Sequence, residues 1–285
     1  MLVMVLCALA PGDIGYRFLL LPYSVEASLF QGARAEIVSP TDLRGPEFSG
    51  VSYVAGVKAG QASASFKGLR FSGLYLNSGN MESYDENGVY LGDFAYHATC
   101  FTVGKSLAWR SYTITLQPEL LFQSAASASA FGLALNAGIS GQVPVVAQGG
   151  FGRLDWGLRA QHMGAELAAF DSVSSSLPMG LSGGMKWTSP GQAWQLGLGL
   201  ESTLDYAVAL NFGAVWWPYG YPIAVAAAYN TKGKQLNTGA GTDILNGLTA
   251  GVLFKMGSFK LGYSWTPLGD LGDVHRLQLQ LECLR

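Results

Sequence analysis

The sequence predicts an all-β fold, a closed antiparallel transmembrane β-barrel of about 14 strands. Charged residues make up only 13% of the 285 residues, against roughly 25% in ordinary soluble domains, while hydrophobic residues make up 49%. No stretch approaches the roughly 18 to 20 consecutive apolar residues that a membrane-spanning helix needs. Apolar residues instead recur at every second position, which is the period of a β-strand. Because lipid admits only helices and closed barrels as spanning structures, the chain is predicted to be a barrel.

Residues 194–217, WQLGLGLESTLDYAVALNFGAVWW, carry this pattern most clearly. Bulky apolar side chains alternate with small neutral ones, and the two charges, Glu201 and Asp205, stand near the break in the pattern. In an outer-membrane barrel the outward face meets lipid and must be apolar, whereas the inward face meets the lumen. A charge on the lipid face costs up to about 2–4 kcal/mol at the middle of the bilayer. The pattern therefore predicts two spanning strands with their charges near the connection.

Similar alternating runs follow one another along the chain and are separated by turn sequences rich in Gly, Pro, Asn and Asp. Thirteen runs are recognisable and one more is expected before residue 50, which gives ~14 when the even strand number of bacterial barrels is imposed. In order, the runs are 51–57, 63–76, 90–103, 112–123, 131–140, 154–161, 179–187, 194–200, 204–216, 223–229, 247–256, 259–266 and 276–282.

Two further patterns refine the barrel prediction. The inward positions are mainly Gly, Ala, Ser, Thr, Asn and Gln, which predicts a narrow lumen, or a lumen packed against another segment, and not an open salt-conducting channel. A soluble barrel or sandwich with an apolar core is the alternative, and the low charge content argues against it. Aromatic residues cluster at the predicted strand ends, where an interfacial girdle is expected: Trp187, Trp216, Trp217, Tyr219, Tyr221, Tyr229 and Trp265.

The first ten residues, MLVMVLCALA, are interpreted as part of a secretory signal peptide, since an apolar core precedes the small-x-small pattern Ala8-Leu9-Ala10. A short buried strand is the alternative reading. Export together with a spanning barrel predicts location in a bacterial outer membrane, with the lipid bilayer and the outer-membrane assembly machinery as partners. The net charge of -2 offers no basic field for nucleic acid, so no nucleic-acid partner is expected.

No enzyme site is predicted. Gly180-Leu181-Ser182-Gly183-Gly184 matches the G-x-S-x-G pattern of serine hydrolases, but strand alternation continues through it where that motif needs a strand, a sharp turn and a helix. The histidines lack zinc-binding spacing, the three cysteines are scattered, and no phosphate-binding loop is present. We therefore expect no catalytic residue, no metal site and no cofactor.

The C-terminal stretch LGYSWTPLGDLGDVHRLQLQL, residues 261–281, resembles the ending of the PorV/PorQ group of FadL-like outer-membrane proteins. That group closes with an aromatic strand, a Pro-x-Gly-x-Leu-Gly turn and a basic opening of the last strand. A more diffuse similarity extends over roughly residues 16–281. The positions that match the C-terminal pattern are Pro267, Gly269, Leu271, Gly272, His275 and Arg276.

The resemblance implies a 14-stranded barrel with an N-terminal plug. It divides the chain into a partial signal peptide at 1–10, a plug-like segment at 11–48 and the barrel at 49–285. It also implies uptake of hydrophobic solutes such as long-chain fatty acids or other detergent-like lipids. The alternative is a non-conducting, secretion-associated binding barrel like PorV. The plug-like motif falls by resemblance on Gly32, Ala33, Ser39, Pro40 and Leu43, of which Ser39 stands where the family has Asn.

Overall fold

The structure is a computed structural model that describes residues 16–33, 45–85, 87–126, 128–147, 150–169, 175–204, 206–236, 245–269 and 272–281. A 3₁₀ turn at Arg17–Leu20 and a short helix α1, Val25–Leu29, precede the strands. The strands are β1 (Glu47–Ser52), β2 (Lys58–Phe66), β3 (Leu69–Tyr84), β4 (Tyr90–Trp109), β5 (Tyr112–Ala125), β6 (Ala128–Ala147), β7 (Gly150–Ala168), β8 (Gly180–Thr188), β9 (Trp194–Thr203), β10 (Tyr206–Trp216), β11 (Ile223–Asn230), β12 (Leu248–Met256), β13 (Phe259–Pro267) and β14 (Asp273–Leu281).

These 14 strands close into one antiparallel barrel, as predicted. Each strand pairs with its neighbours in sequence, and β1 pairs with β14 to complete the cylinder. The closing register joins Glu47 to Gln280 and Ser52 to His275. Because every strand has two partners, the sheet has no open edge, which is the condition for placing a sheet in lipid.

Alternation along the strands separates an outer and an inner face. In β9, Leu196 and Leu200 are 45% and 44% exposed on the outside, whereas Glu201 is only 7% exposed on the inside. The same arrangement holds around the barrel: large apolar side chains form the exposed outer surface, and polar side chains are enclosed. A closed barrel with an apolar exterior is the architecture of an outer-membrane protein. The predicted location in a bacterial outer membrane is thus confirmed. Within the described residues, the only α-helix spans five residues, too few for a membrane-crossing helix.

The barrel has two different ends. At the turn end, β2 and β3 are joined by residues 67–68 and β12 and β13 by residues 257–258. The loop end carries the two longest connections, residues 169–179 between β7 and β8 and 231–247 between β11 and β12, although β5–β6 and β9–β10 are joined there by two residues each. Outer-membrane barrels place short turns toward the periplasm and longer loops outside the cell. We therefore expect the loop end to be the extracellular one.

Two details differ from the sequence prediction. The predicted run 63–76 is a hairpin, because Lys67 and Gly68 take left-handed backbone angles (φ 49° and 75°) and reverse the chain between β2 and β3. The run counted as one strand therefore contains the end of β2 and the start of β3, and this division supplies the fourteenth strand. In addition, β4 and β6 each have 20 residues, about twice the 9–11 that a bilayer requires.

Candidate functional site in the barrel lumen

Residues 16–33, which we call the inner segment, lie inside the barrel. Val25 and Leu29 of α1 are 0% and 1% exposed, and they pack in one cluster with Val215, Ala224 and Leu253 on the inner faces of β10, β11 and β12. A second cluster surrounds the 3₁₀ turn before α1. The α1 half of the inner segment thus packs against β10–β12, and the half before it packs against β1–β6.

Helix α1 depends on the barrel for its stability. Ser24 caps its first turn, since the Ala27 N–H donates to Ser24 Oγ at 3.0 Å, and Glu26 lies where a negative charge favours the helix dipole. A helix of five residues is far shorter than the roughly 12–15 residues at which isolated helices become marginally stable. Packing against the barrel wall must therefore supply most of its stability.

Inward glycines on three adjacent strands make room for the inner segment. A Cβ atom at any of these positions would overlap the main chain of the segment. This contact explains why residues 194–217 carry small side chains on their inner face. The closest approaches of such a Cβ are 2.7 Å to Gly32 O from Gly184, 2.6 Å to Gln31 O from Gly199 and 2.0 Å to Leu29 O from Gly213.

Two residues of the plug-like motif belong to this contact. Gly32 has a φ of +63°, and a Cβ there would lie 2.8 Å from the Leu200 nitrogen. Ala33 is 0% exposed. Both positions therefore require small residues against the β9 backbone. The other motif positions, Ser39, Pro40 and Leu43, lie outside the described residues.

Charged side chains also hold the inner segment. Gln31 Nε2 donates to Glu201 Oε2 at 2.9 Å, and Lys232 Nζ donates to the same oxygen at 3.0 Å. Lys186 Nζ lies 3.8 Å from Glu26 Oε1. These contacts connect the segment to β8, β9 and the turn after β11, so the segment is fixed by polar contacts as well as by apolar packing.

The C-terminal motif reaches the inner segment through Arg276. Its Nε donates to the Pro22 carbonyl at 2.8 Å, and its NH1 group donates to Thr266 Oγ1 at 2.8 Å. The Tyr53 hydroxyl donates to the same carbonyl at 3.2 Å, and burial raises the pKa of Tyr53 to about 12. Arg276 therefore joins the barrel closure to the segment.

The other motif residues shape the β13–β14 turn or face outward. Gly269 and Gly272 take left-handed angles (φ 59° and 105°), and the Leu268 N–H donates to the Gly272 carbonyl at 2.8 Å. Pro267 ends β13, and Leu271 lies outside the described residues. His275 points outward and contacts Tyr263. The described positions of the C-terminal motif therefore have three separate roles: contact with the inner segment, formation of the β13–β14 turn, and contact on the outer face.

Between the inner segment and the wall of β1–β7 a cavity of about 100 Å³ remains. That volume accommodates several water molecules. Its lining combines apolar and charged side chains from the segment and from the wall formed by β1–β7. The lining residues that matter here are Leu19, Leu21, Leu74, Cys100, Arg70, Glu47, Gln117, Glu119, Arg159 and His162.

A buried network of Glu119, Asn136 and His162 forms one wall of this cavity. Glu119 accepts a bond from Asn136 Nδ2 at 2.5 Å, and its other oxygen lies 2.7 Å from His162 Nδ1. The His162 N–H donates to Asn136 Oδ1 at 2.8 Å. All three side chains are nearly inaccessible to solvent. The three groups satisfy one another's hydrogen bonds where water cannot.

A β-bulge turns His162 into the lumen. His162 has a φ of +53°, which is uncommon for a residue other than glycine, and the β6–β7 register shifts opposite it between Leu135 and Ala137. Two consecutive residues, Gln161 and His162, are consequently both buried. Bulges re-aim side chains in this way and are frequent beside functional sites.

The charge of the inner face corrects the sequence analysis. Small neutral residues were expected to dominate, yet charged side chains project inward from many strands. The inner face therefore combines the small neutral residues that were predicted with charged ones that were not. Inward charged residues among the described ones include Glu47, Arg70, Glu119, Asp155, Arg159, Glu166, Lys186, Glu201 and Arg276.

Ser182 lies within β8, which continues to Thr188 without the turn and helix of a hydrolase motif. Its side chain is 2% exposed. We predict that the folded protein is not labelled by a fluorophosphonate serine probe and that Ser182→Ala leaves the gel pattern unchanged. Labelling of the native protein that disappears in Ser182→Ala would contradict this prediction.

No protein-family model matches the chain. No curated protein matches it either. Solved barrels do: the KdgM porin shares 10% identity with a TM-score of 0.40, covering 84% of this chain and 99% of the porin. The Acinetobacter baumannii outer membrane protein Omp33 shares 10% with a TM-score of 0.44, covering 85% and 100%. A mutant of the TodX monoaromatic hydrocarbon channel shares 11% with a TM-score of 0.49, covering 90% and 97%.

Proposed function

We propose that the protein is a FadL-like outer-membrane conduit for solute uptake, with the inner segment as its plug. The observation that carries the proposal is the division of the lumen. The α1 half of the segment packs against β10–β12 and the half before it against β1–β6, yet a cavity of about 100 Å³ is left between the segment and the wall of β1–β7. A displacement of the segment would enlarge that cavity into a path between the two ends of the barrel.

The cavity lining favours an amphipathic solute with an anionic group. Leu21, Leu74 and Cys100 offer an apolar surface. Beside it lie the guanidinium groups of Arg70, 3.6 Å from Glu47, and of Arg159, which donates to Gln117. Guanidinium groups bind carboxylates through directional, charge-assisted hydrogen bonds. A long-chain fatty acid combines both features, so we retain fatty acids and related lipids as the substrate class.

Binding of a fluorescent fatty acid to the purified protein in detergent tests this proposal. We expect saturable binding that weakens about tenfold in Arg70→Gln/Arg159→Gln, since a hydrogen bond to a charged group contributes roughly 1.5–3 kcal/mol. Arg110→Gln is the matched control, because Arg110 lies in the turn between β4 and β5. A fatty alcohol of equal length should bind the native protein more weakly. No saturable binding by the native protein would overturn the proposal.

A non-conducting scaffold is the second candidate. The direct contacts of Gln31, Glu26 and Pro22 with the wall favour a lumen that stays closed. Under this function the protein would show no fatty-acid binding, and in-cell crosslinking would recover a stable protein partner. Catalysis forms no part of either candidate.

A further inference from the structure

A row of polar side chains crosses the outer face where the barrel closes. Five outward positions stand in register on β14, β1, β2, β3 and β4, and three of them carry basic groups. With roughly 4.8 Å between neighbouring strands, the row spans about 19 Å and its central lysine lies about 10 Å from each histidine. We call this the outer basic row: His275, Ser52, Lys58, Asn77 and His97.

Each histidine of the row is oriented by a tyrosine on the adjacent strand. Tyr75 OH lies 2.7 Å from His97 Nδ1, and Tyr263 OH lies 2.8 Å from His275 Nδ1. Both pairs are stacked, with ring centroids 6.0 Å and 6.2 Å apart. When the hydroxyl donates to Nδ1, the ring proton resides on Nε2, which is then directed away from the tyrosine as a donor.

The row lies at the depth of the lipid headgroups. Two residues closer to the turn end, the outer face carries Tyr75, Tyr263 and Leu277, which are 47%, 40% and 64% exposed. Tyrosine is enriched at the membrane–water interface, and apolar side chains follow it toward the bilayer centre. The row itself stands on the loop-end side of these residues and so meets the extracellular leaflet.

The charges near the row leave it basic. Asp273 is the closest carboxylate in sequence, two residues beyond His275 on the same outward face of β14. Glu82 and Asp93 stand farther along β3 and β4 and accept hydrogen bonds from tyrosine hydroxyls. The five positions of the row contain no carboxylate.

We propose that the outer basic row binds the phosphate of a net-anionic lipid in the extracellular leaflet. The Lys58 ammonium group and the ring N–H of His97 or His275 contact the phosphate. The acyl chain of the lipid then runs toward the bilayer centre. Between Tyr75 and Tyr263 the wall offers Gly50 and Gly60, whose missing side chains leave space for that chain. This site lies outside the barrel and does not depend on solute uptake.

Native mass spectrometry of the full chain tests the proposal. The protein is released from mixed micelles that contain equal amounts of phosphatidylglycerol and phosphatidylcholine, and the retained lipids are counted. We expect retention of phosphatidylglycerol over phosphatidylcholine, and a loss of about fivefold in that preference in Lys58→Gln, since one basic group near an anionic surface contributes about that factor. The variant Lys58→Gln/His97→Gln/His275→Gln should lose the preference entirely.

The matched control is Lys105→Gln, because Lys105 is exposed near the turn end of β4. It should retain the native preference, and so should the native protein in excess inorganic phosphate. Heat-dependent gel migration confirms that each variant is folded. Fatty-acid binding in the lumen should be unchanged in the triple variant, which separates this proposal from the uptake proposal. Equal retention of both lipids by the native protein, or an equal loss in Lys105→Gln, would overturn it.

Discussion

Gly213→Val is expected to displace the inner segment and to open the lumen to ions. A Cβ at this position would lie 2.0 Å from the Leu29 carbonyl oxygen, a distance that main-chain atoms cannot accommodate without moving. Valine itself suits a β-strand, so the barrel should still form. Overpacking of this kind costs about 1–3 kcal/mol, which we expect to fall on the contact between α1 and the wall. Planar-bilayer conductance should rise well above that of the native protein.

The matched control is Gly73→Val on the outer face of β3. A Cβ there would meet only the Phe101 side chain, at 3.5 Å, which is ordinary contact. This variant should conduct like the native protein. If Gly213→Val is folded by its gel migration yet conducts no more than Gly73→Val, the inner segment does not block the lumen.

Glu119→Ala is expected to destabilise the barrel more than any surface substitution. It leaves His162 and Asn136 buried without their shared acceptor, and each buried polar group that loses its hydrogen-bond partner costs about 1–3 kcal/mol. The free energy of unfolding can be measured by denaturant titration in detergent. The double variant Glu119→Ala/His162→Ala should lose much less than the sum of the single losses, because the two residues act as one unit. Additive losses would show that the network has no energetic coupling.

Much of the fold is predictable from the sequence because strand alternation is a local property. The face on which Leu196 or Glu201 lies follows from its position in a two-residue repeat. The strand number is also predictable, although the tight turn at Lys67-Gly68 conceals one hairpin within a single run. These features can be predicted because they depend only on residues that are close together in the sequence.

The lumen is less predictable because it depends on contacts between distant parts of the chain. The bulge that turns His162 inward requires the shifted pairing with β6, and no local signal marks it. Gly184, Gly199 and Gly213 read as a small inner face, but only the assembled barrel brings them together under the inner segment. The resemblance indicated a plug-like segment, and it did not indicate which wall that segment would contact.

A disulfide tests most directly whether α1 of the inner segment lies inside the barrel against β10–β14. Ser28 Oγ and Ser264 Oγ are 3.0 Å apart, so cysteines at both positions should form an internal disulfide in a background without the native cysteines. Ser28→Cys/Ser140→Cys, with Ser140 on the opposite wall in β6, should not. Mass spectrometry of the folded protein should find the 28–264 crosslink alone. Its absence, or equal crosslinking to residue 140, would contradict the account.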